Sequence, residues 1–182
     1  MPKALVPLAT GVEEMEAVII MDVLRRAEWE VVSVGLDDNI ITASRGVRLA
    51  PDTEWASVNP EDFDWIILPG GMPGTEALMA DQRVLDALRR HIDAGRPCAA
   101  ICAAPLVLQS AGVLNGRTYT SHPSVADRLT EGQRSDERVV RDQRLITSQG
   151  PGTCFAFALA IVEQEAGPEK AAQLAAAMVL DT

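Results

Sequence analysis

One short stretch, Arg96–Pro105, limits most strongly how this chain can fold. Its apolar part, Cys98–Ile101, is too short for a helix and is bounded by prolines, which predicts a strand buried in a covered parallel sheet. Helical spacing then resumes over Leu106–Gln109 and ends at Gly112. Cys102 therefore lies at a strand-to-helix corner, where helix amides favour a thiolate. This is the geometry of a nucleophile elbow, so Cys102 is the first candidate for chemistry.

Other short apolar runs are separated by segments with helical spacing, which predicts an alternating α/β order. Ala4–Leu8 and Glu30–Gly35 are predicted strands, and the segment between them has helical spacing to about Ala27. Strand, helix and strand in so few residues make a βαβ unit, so we expect the sheet to be at least partly parallel. Asp64–Pro69 is a third main strand, and Cys98–Ile101 is the fourth.

The remaining segments extend this order to the end of the chain. Shorter β segments are predicted at Ile40–Thr42, Val47–Leu49, Arg117–Thr120, Arg138–Val140 and Leu145–Thr147. The first two suit a ribbon outside the main sheet, and the last two flank a hairpin loop. Further helices are predicted before Gly95, after Gly150-Pro151-Gly152 and from Pro168. No repeat or linker marks a second domain, so we expect residues 1–182 to form one α/β sandwich of flavodoxin-like type.

The composition argues against several classes of protein. With a formal net charge of −10 and no basic stripe to compensate for it, the chain is not expected to bind nucleic acid. No apolar run approaches the roughly 20 residues of a membrane span, and the first residues lead directly into a strand rather than a signal peptide. Three cysteines without CxxC spacing fit a reducing cytosol, and two histidines in the whole chain argue against a zinc site.

Four features fall at the carboxyl ends of predicted strands, where the functional crevice of such a sheet lies. They are Thr10-Gly11, Gly70-Gly71, Cys102-Ala103 and Ser121-His122. The glycine pair allows a close approach of the backbone and can present an amide to an oxyanion, although a tight strand exit is its simpler role. It lacks the lysine of a phosphate loop. We expect the four features to converge on one site.

Glu16 has an unusual position on the first predicted helix. Ile19, Ile20 and Val23 follow it at i+3, i+4 and i+7, so its carboxyl lies on an apolar face. Desolvation there would raise the pKa of the carboxyl and keep it protonated. It could then donate a hydrogen bond to a thiolate or exchange a proton with substrate. A solvated helix glutamate is the alternative interpretation.

The three cysteines differ in their predicted surroundings. Cys98 lies inside a strand and Cys154 in an apolar helix start, so we expect packing roles for both. Cys102 can also be a core cysteine, the usual fate of a buried thiol. Its place at a strand end before a helix favours a functional role.

The two histidines also lead to different expectations. His122 ends a predicted β segment before Pro123, which fits a general-base partner for Cys102. A loop histidine with a local hydrogen bond is the alternative. His91, beside Arg89-Arg90 at a helix end, is expected to be a solvated partner of the helix dipole.

Together these motifs resemble the DJ-1/PfpI superfamily, and within it the DJ-1 branch that includes bacterial YajL-like proteins. The resemblance covers essentially the whole chain. Its carriers are Gly11–Ala17, Leu68–Gly71, Ala100–Pro105, Ser121–Pro123, Gly150–Thr153 and Phe157–Val162.

The resemblance implies a flavodoxin-like three-layer α/β/α sandwich with a mostly parallel central sheet and a nucleophile elbow, present as a cytoplasmic homodimer. The family's oxidisable cysteine maps to Cys102, and the glutamate that hydrogen-bonds to its sulfur maps to Glu16. The backbone amides that face the sulfur map to Gly71 and Ala103, and the nearby histidine maps to His122. The resemblance implies no cofactor and no metal.

Four more positions around the predicted site correspond to residues of the family. Arg45 and Arg26 match arginines placed around the dimer-side approach to the site. Gln149 stands where some relatives have an arginine, which predicts a less cationic pocket. Ala50 replaces a second surface cysteine of some relatives, so we expect redox behaviour to centre on Cys102.

The resemblance leads to one functional hypothesis and two alternatives. We expect a cysteine-dependent, cofactor-free enzyme of the glyoxalase III-like or deglycase type, which acts on methylglyoxal or glyoxal and their early protein adducts in oxidative and carbonyl stress defence. The first alternative is a redox-sensing stress protein or holdase chaperone that works through oxidation of Cys102. A class I glutaminase-like Cys-His-Glu enzyme ranks lower, because no histidine-x-glutamate pair follows the β region.

Overall fold

The four predicted main strands belong to one seven-stranded sheet in the computed structural model, which describes residues 1–36 and 38–180. Asp37, Asp181 and Thr182 lie outside the described residues. The strands are β1 (Lys3–Leu8), β2 (Glu30–Gly35), β3 (Ile41–Thr42), β4 (Arg48–Leu49), β5 (Thr53–Glu54), β6 (Trp65–Leu68), β7 (Cys98–Ile101), β8 (Thr118–Tyr119), β9 (Gln133–Arg134), β10 (Val139–Asp142) and β11 (Leu145–Ser148). The α-helices are α1 (Glu14–Arg26), α2 (Met72–Ala80), α3 (Gln82–Asp93), α4 (Pro105–Ser110), α5 (Cys154–Ala166) and α6 (Pro168–Ala177).

The main sheet has the strand order β10-β11-β7-β6-β1-β2-β5. Every neighbouring pair is parallel except β10 and β11, which form the predicted antiparallel hairpin. The fully buried strand β7 pairs with β6 on one side and β11 on the other. The predicted mostly parallel central sheet is therefore confirmed, and Cys102 follows a strand in its interior.

Helices cover both faces of the sheet, because alternate strand side chains point in opposite directions. On β1, Val6 packs into a core with α1, α5 and α6. Its neighbour Leu5 packs on the other face, into a core with α2, α3 and α4. The three layers confirm the predicted flavodoxin-like α/β/α sandwich.

A small ribbon outside the main sheet is also confirmed. Strands β3 and β4 pair antiparallel with each other and form a separate two-stranded sheet. The amide of Gly11 donates to the carbonyl of Thr42 at 2.8 Å, and the amide of Ser44 donates to the carbonyl of Val12 at 2.8 Å. These bonds hold the ribbon, including Arg45, beside the start of α1.

The sequence pattern does not predict α2 and β5. Pro73 and Gly74 lie in the first turn of α2 and look like a loop in the sequence. Proline is tolerated there because the first amides of a helix have no partner within the helix. Strand β5 has only two residues, too few for a periodic signal, and forms at the sheet edge beside β2.

The prediction of a solvated His91 is wrong. The side chain is buried on the inner face of α3, and its Nε2 lies 3.1 Å from the carbonyl oxygen of Asp64 and 3.0 Å from that of Pro97. Burial lowers the pKa of His91. The ring therefore links α3 to the beginnings of β6 and β7. Val84, Leu88 and His91 share one helix face, and this spacing was the signal for burial.

Candidate functional site

Cys102 lies in the corner between β7 and α4 with a strained backbone. Its φ of +65° is in the left-handed region, which residues other than glycine rarely adopt. Two hydrogen bonds hold it there: its amide donates to the carbonyl of Ser148 at 3.0 Å, and its carbonyl accepts from the amide of His122 at 2.8 Å. Such strain persists only where the surroundings impose it, and it is typical of a nucleophile elbow. Cys102 is partly exposed, whereas Cys98 and Cys154 are buried.

Glu16 places a fully buried carboxyl beside this cysteine. Its Oε2 accepts from the amide of Gly70 at 2.7 Å, and its own amide donates to the capping carboxylate of Glu13 at 2.8 Å. Its Oε1 is buried and has no donor of normal geometry among the described residues. The carboxyl also interacts with the Cys102 thiol. Because Oε2 uses its lone pair on Gly70, a proton on this carboxyl is best placed on Oε1.

The carboxyl and the thiol titrate as a pair. Burial raises the pKa of Glu16 to about 7. Burial also raises the pKa of the Cys102 thiol to about 12, and the charge of Glu16 acts in the same direction. Only one negative charge is therefore held by the pair between these two values. The predicted raised pKa of Glu16 is confirmed, but the expected net stabilisation of the thiolate is wrong, because burial and the facing carboxylate outweigh the amides.

Two backbone amides partly offset the rise in the pKa of the Cys102 thiol. The amides of Gly71 and Ala103 hydrogen-bond to the Cys102 sulfur and lower its pKa. These are the two amides expected from the resemblance. When the shared proton sits on Glu16, the sulfur therefore carries the charge with two amide donors and an acidic neighbour.

The glycine pair lets three chain segments meet at the sulfur. A Cβ on Gly70 would lie 2.6 Å from the Cβ of Cys102 and 2.9 Å from Oε2 of Glu16. Gly71 has a φ of +89°, and a Cβ there would lie 2.4 Å from the amide nitrogen of Glu13. Both positions therefore require glycine, for close approach in each case and for backbone conformation at Gly71.

His122 lines the same cavity as Cys102, with its ring held by Ser124. The amide of Ser124 donates to Nδ1 at 3.2 Å, and the Ser124 hydroxyl lies 2.7 Å from the same nitrogen. A nitrogen that accepts an amide N–H carries no proton in the neutral ring, so the network assigns the proton to Nε2. The predicted general base is then better placed as a hydrogen-bond donor through Nε2.

A cavity of about 580 Å³ opens above Cys102. Arg45 lines it from the ribbon, as expected for an approach residue. Its amide donates to a carboxylate oxygen of Glu14 at 2.8 Å, and the hydroxyl of Ser44 donates to the other oxygen at 2.8 Å. Burial acts to raise the pKa of Glu14, but these hydrogen bonds outweigh it, so the net pKa is lowered. Glu14 thus stays charged and fixes the position of Arg45.

Arg26 does not lie at this site within one chain. It is the last residue of α1, ten residues after Glu16, which corresponds to about 15 Å along the helix axis. Its exposed guanidinium pairs with the Asp22 carboxylate at 2.6 Å. The described residues therefore bring Arg45, but not Arg26, to the cavity around Cys102.

Gln149 and Cys154 are not among the described residues that line the cavity. The side-chain amide of Gln149 donates to the carbonyl of Asp136 at 2.9 Å, and Gln149 does not line the cavity among the described residues. The glutamine in place of an arginine at this position therefore does not determine the charge of this cavity. The Cys154 thiol donates to the carbonyl of Glu16 at 3.6 Å, which joins α5 to α1. The expected packing role of Cys154 thus includes a contact with the backbone of Glu16.

Several contacts around the site are not predicted by the sequence pattern. Gly70 and Glu13 hold the two ends of Glu16, Ser124 sets the orientation of His122, and Arg128 lines the cavity. The signal for Glu13 was present, because an acidic residue directly before a helix is a capping pattern. Arg128 gave no signal, since only the tertiary fold brings it to Cys102.

Comparisons with known proteins show the family and agree with the fold. Residues 2–164 match the DJ-1/PfpI family. The chain is 44% identical to protein dj-1beta of Drosophila melanogaster over 180 residues, covering 97% of this chain and 96% of the relative. It is 42% identical to protein DJ-1 homolog B of Arabidopsis thaliana over 98% of its own length, but it spans only 41% of that relative. It is 40% identical to the glutathione-independent glyoxalase DJR-1.2 of Caenorhabditis elegans, over 87% of this chain and 85% of the relative.

Solved structures of related proteins have the same fold. The crystal structure of Drosophila melanogaster DJ-1beta superposes with a TM-score of 0.95, covers 100% of this chain and 99% of its own, and is 44% identical. The oxidized DJ-1 of Toxoplasma gondii gives a TM-score of 0.96 at 38% identity, over 100% of both chains. Assignment to the bacterial YajL-like branch stays a prediction. With its seven-stranded sandwich and its strained cysteine beside a buried glutamate, this chain belongs to the DJ-1/PfpI family.

Proposed function

We propose that this protein is a cysteine-dependent, cofactor-free glyoxalase or deglycase that acts on methylglyoxal or glyoxal and on their early protein adducts. The observation that carries the proposal is the coupled pair of Cys102 and buried Glu16 at an open cavity. The Caenorhabditis elegans relative named as a glutathione-independent glyoxalase supports it. A role in oxidative and carbonyl stress defence belongs to the same proposal.

The first step is addition of the Cys102 sulfur to the aldehyde carbon. The Glu16 carboxylate takes the thiol proton, and the sulfur forms a bond to the aldehyde carbon while the C=O π electrons move to oxygen. The amides of Gly71 and Ala103 lie beside the sulfur and stabilise the developing oxyanion. Glu16 then gives the thiol proton to that oxygen, which yields a hemithioacetal and leaves the carboxylate free to act as a base.

The second step is an internal redox change that needs no external oxidant. Glu16 removes the hydrogen of the former aldehyde carbon as a proton while the ketone oxygen is protonated, which gives an enediol. The same proton returns to the former ketone carbon, and the hydroxyl of the former aldehyde carbon loses its proton as the thioester C=O forms, which replaces the proton taken up by the ketone oxygen. The aldehyde carbon is oxidised to a thioester and the ketone carbon is reduced to an alcohol. Water then cleaves the thioester, which releases lactate and regenerates the Cys102 thiol. The Nε2–H of His122 is suited to donate to a substrate oxygen during these steps.

A pH profile of variants tests the proposal. Below its pKa of about 7, Glu16 is protonated and cannot take the thiol proton, so kcat/KM for lactate formation should rise as the pH rises through this value. Glu16→Gln should lower kcat/KM by about a hundredfold or more and remove this rise. A parent profile that is flat from pH 5 to 9 would contradict the proposed role of the pair.

A redox-sensing stress protein or holdase chaperone is the second candidate. Cys102 is the partly exposed one of the three cysteines, and the Toxoplasma gondii relative was solved as an oxidized protein. One peroxide would convert the thiolate to a sulfenate with release of water, and a second would give the sulfinate. Peptide mapping after mild peroxide treatment should find the added oxygens on Cys102. Equal modification of Cys98 and Cys154 would count against a tuned site.

The proposal includes a cytoplasmic homodimer with one domain over residues 1–182. Met15 and Val18 on α1 and Phe155 on the adjacent α5 are exposed apolar side chains on neighbouring elements, which suits an interface between two copies. Across such an interface Arg26 would approach the partner's site. Free cysteines fit a reducing compartment. Within the described residues, no helix is both long and apolar enough to cross a bilayer.

A further inference from the structure

The cavity above Cys102 has two arginines on its lining, although the protein is acidic. Arg45 and Arg128 both line it, whereas the formal net charge of the chain is −10. An anion approaching the protein as a whole is repelled, so attraction at this cavity has to come from these side chains. The Glu13 carboxylate also lines the cavity, but one of its oxygens accepts from the amide of Glu16.

Arg128 is held in place relative to the nucleophile by its backbone. Its carbonyl accepts from the side-chain amide of Gln109 at 3.0 Å. The side-chain oxygen of Gln109 accepts from the amide of Thr130 at 2.7 Å. Gln109 belongs to α4, the short helix that follows Cys102. The segment that carries Arg128 is therefore fixed to the same element as the elbow.

The guanidinium of Arg128 is only weakly engaged. Its Nη1 lies 3.5 Å from the Met72 sulfur and 3.6 Å from a carboxylate oxygen of Glu76. The second distance exceeds a hydrogen bond, and an ion pair between two half-exposed side chains contributes little. Its planar fork of N–H donors is thus available to a ligand in the cavity.

We propose that the cavity selects α-oxoaldehydes that carry a carboxylate, and that Arg128 recognises this group. A guanidinium binds a carboxylate through two parallel hydrogen bonds, which fixes the orientation of the substrate as well as its position. Arg45 adds a second positive charge on the ribbon side. This inference rests on the proposed function, because it names the substrate class of the same site.

Kinetics with two probes that differ only in charge test the inference. The probes are 4,5-dioxopentanoate, which is an α-oxoaldehyde with a carboxylate, and its neutral methyl ester. The measured quantity is the ratio of kcat/KM for the acid to that for the ester, at low salt, in the parent, Arg128→Gln and Arg128→Lys. Arg141→Gln is the matched control, since it removes the same charge from an arginine that pairs with Glu163 outside the cavity.

The inference predicts that the parent prefers the acid, that Arg128→Gln lowers the ratio about tenfold, and that Arg128→Lys keeps part of it. Arg141→Gln should keep the parent ratio, and added salt should lower the ratio in the parent. Equal turnover of acid and ester by the parent, or an unchanged ratio in Arg128→Gln, overturns the selection of carboxylates but leaves the proposed function standing. Turnover of methylglyoxal but of neither probe by the parent overturns the inference alone, and turnover of none of the three compounds overturns both.

Discussion

Glu16 is a residue that the fold keeps at a cost in stability. Its carboxyl has no exposed surface, and above its pKa of about 7 it is ionised with one backbone donor and an orphan oxygen. A buried charge with so few partners destabilises a folded chain. A carboxyl whose ionisation destabilises the fold and which lies beside a nucleophile is typical of a functional site.

The cost can be measured as a dependence of stability on pH. The pKa of Glu16 rises from 4.5 to about 7 on folding, so its favourable contribution is fully present below pH 4.5 and is lost as the pH rises to about 7. Over this window the parent should lose about 3 kcal/mol of unfolding free energy relative to Glu16→Gln. Urea unfolding of both proteins at several pH values measures the difference.

Glu14→Gln is the matched control on the same helix turn. Folding lowers the pKa of Glu14, so its contribution is present above pH 4.5 and is lost as the pH falls through the folded pKa. The two variants should therefore diverge from the parent in opposite pH directions. The same pH dependence for both would show that the fold does not treat these two carboxyls differently.

The environment of a residue could be predicted from the sequence where neighbouring residues of the same element determine it. Glu16 could be identified because its burial follows from the apolar residues on its own helix face. The pKa of Cys102 could not, because burial and the facing carboxylate come from other segments. The burial of His91 follows from the same local rule, since its helix face also carries Val84 and Leu88.

The start of α2 is the element that shapes the sulfur pocket. It follows β6 through Gly70 and Gly71, and the amide of Gly71 points at Cys102. At Gly71, the left-handed backbone and the contact with Glu13 both exclude a side chain. The end of β6 and the beginning of α2 are therefore matched to the elbow between β7 and α4.

Two glycine substitutions separate these effects. Gly71 and Gly46 have the same φ of +89°, but a Cβ on Gly46 would meet nothing within 4 Å. Gly46→Ala should therefore cost only the backbone strain, about 1 kcal/mol of unfolding free energy. Gly71→Ala must also displace backbone atoms, so we expect a loss of at least about 3 kcal/mol. Thermal or urea unfolding compares them, and equal losses would contradict the crowding at Gly71.

Strands of four or more residues were predicted better than the two-residue strand β5 and the helix α2. The buried strands β2 and β7 were located to the residue, because their apolar runs are bounded by clear turn residues. The two-residue strand β5 exists only because β2 offers an edge to pair with. Helix α2 begins with a proline and a glycine, whose local signal favours a loop.

The exposed apolar side chains on α1 bear on whether two copies of the protein associate. Val18 and Met15 are 45% and 55% exposed, on the face of α1 that does not pack on the sheet. A charge at Val18 would be desolvated in an interface between two copies. If the protein is the proposed dimer, we expect Val18→Lys to be a monomer in sedimentation equilibrium.

Val179→Lys is the control for this experiment. Val179 is 89% exposed and lies beyond the end of α6, outside the α1 face. This variant should sediment like the parent. A Val18→Lys protein that remains a dimer would place the interface elsewhere, and a monomeric parent would contradict the proposed homodimer.

The most direct test of the account is lactate formation from methylglyoxal by the Cys102→Ala protein, with no thiol or cofactor added. Cys98→Ala is the control, because Cys98 is buried inside β7 and its loss removes a thiol without touching the cavity. We expect Cys102→Ala to produce lactate only at the rate of the reaction without protein. Cys98→Ala should keep measurable turnover. Lactate formation by Cys102→Ala at the parent's rate would contradict it.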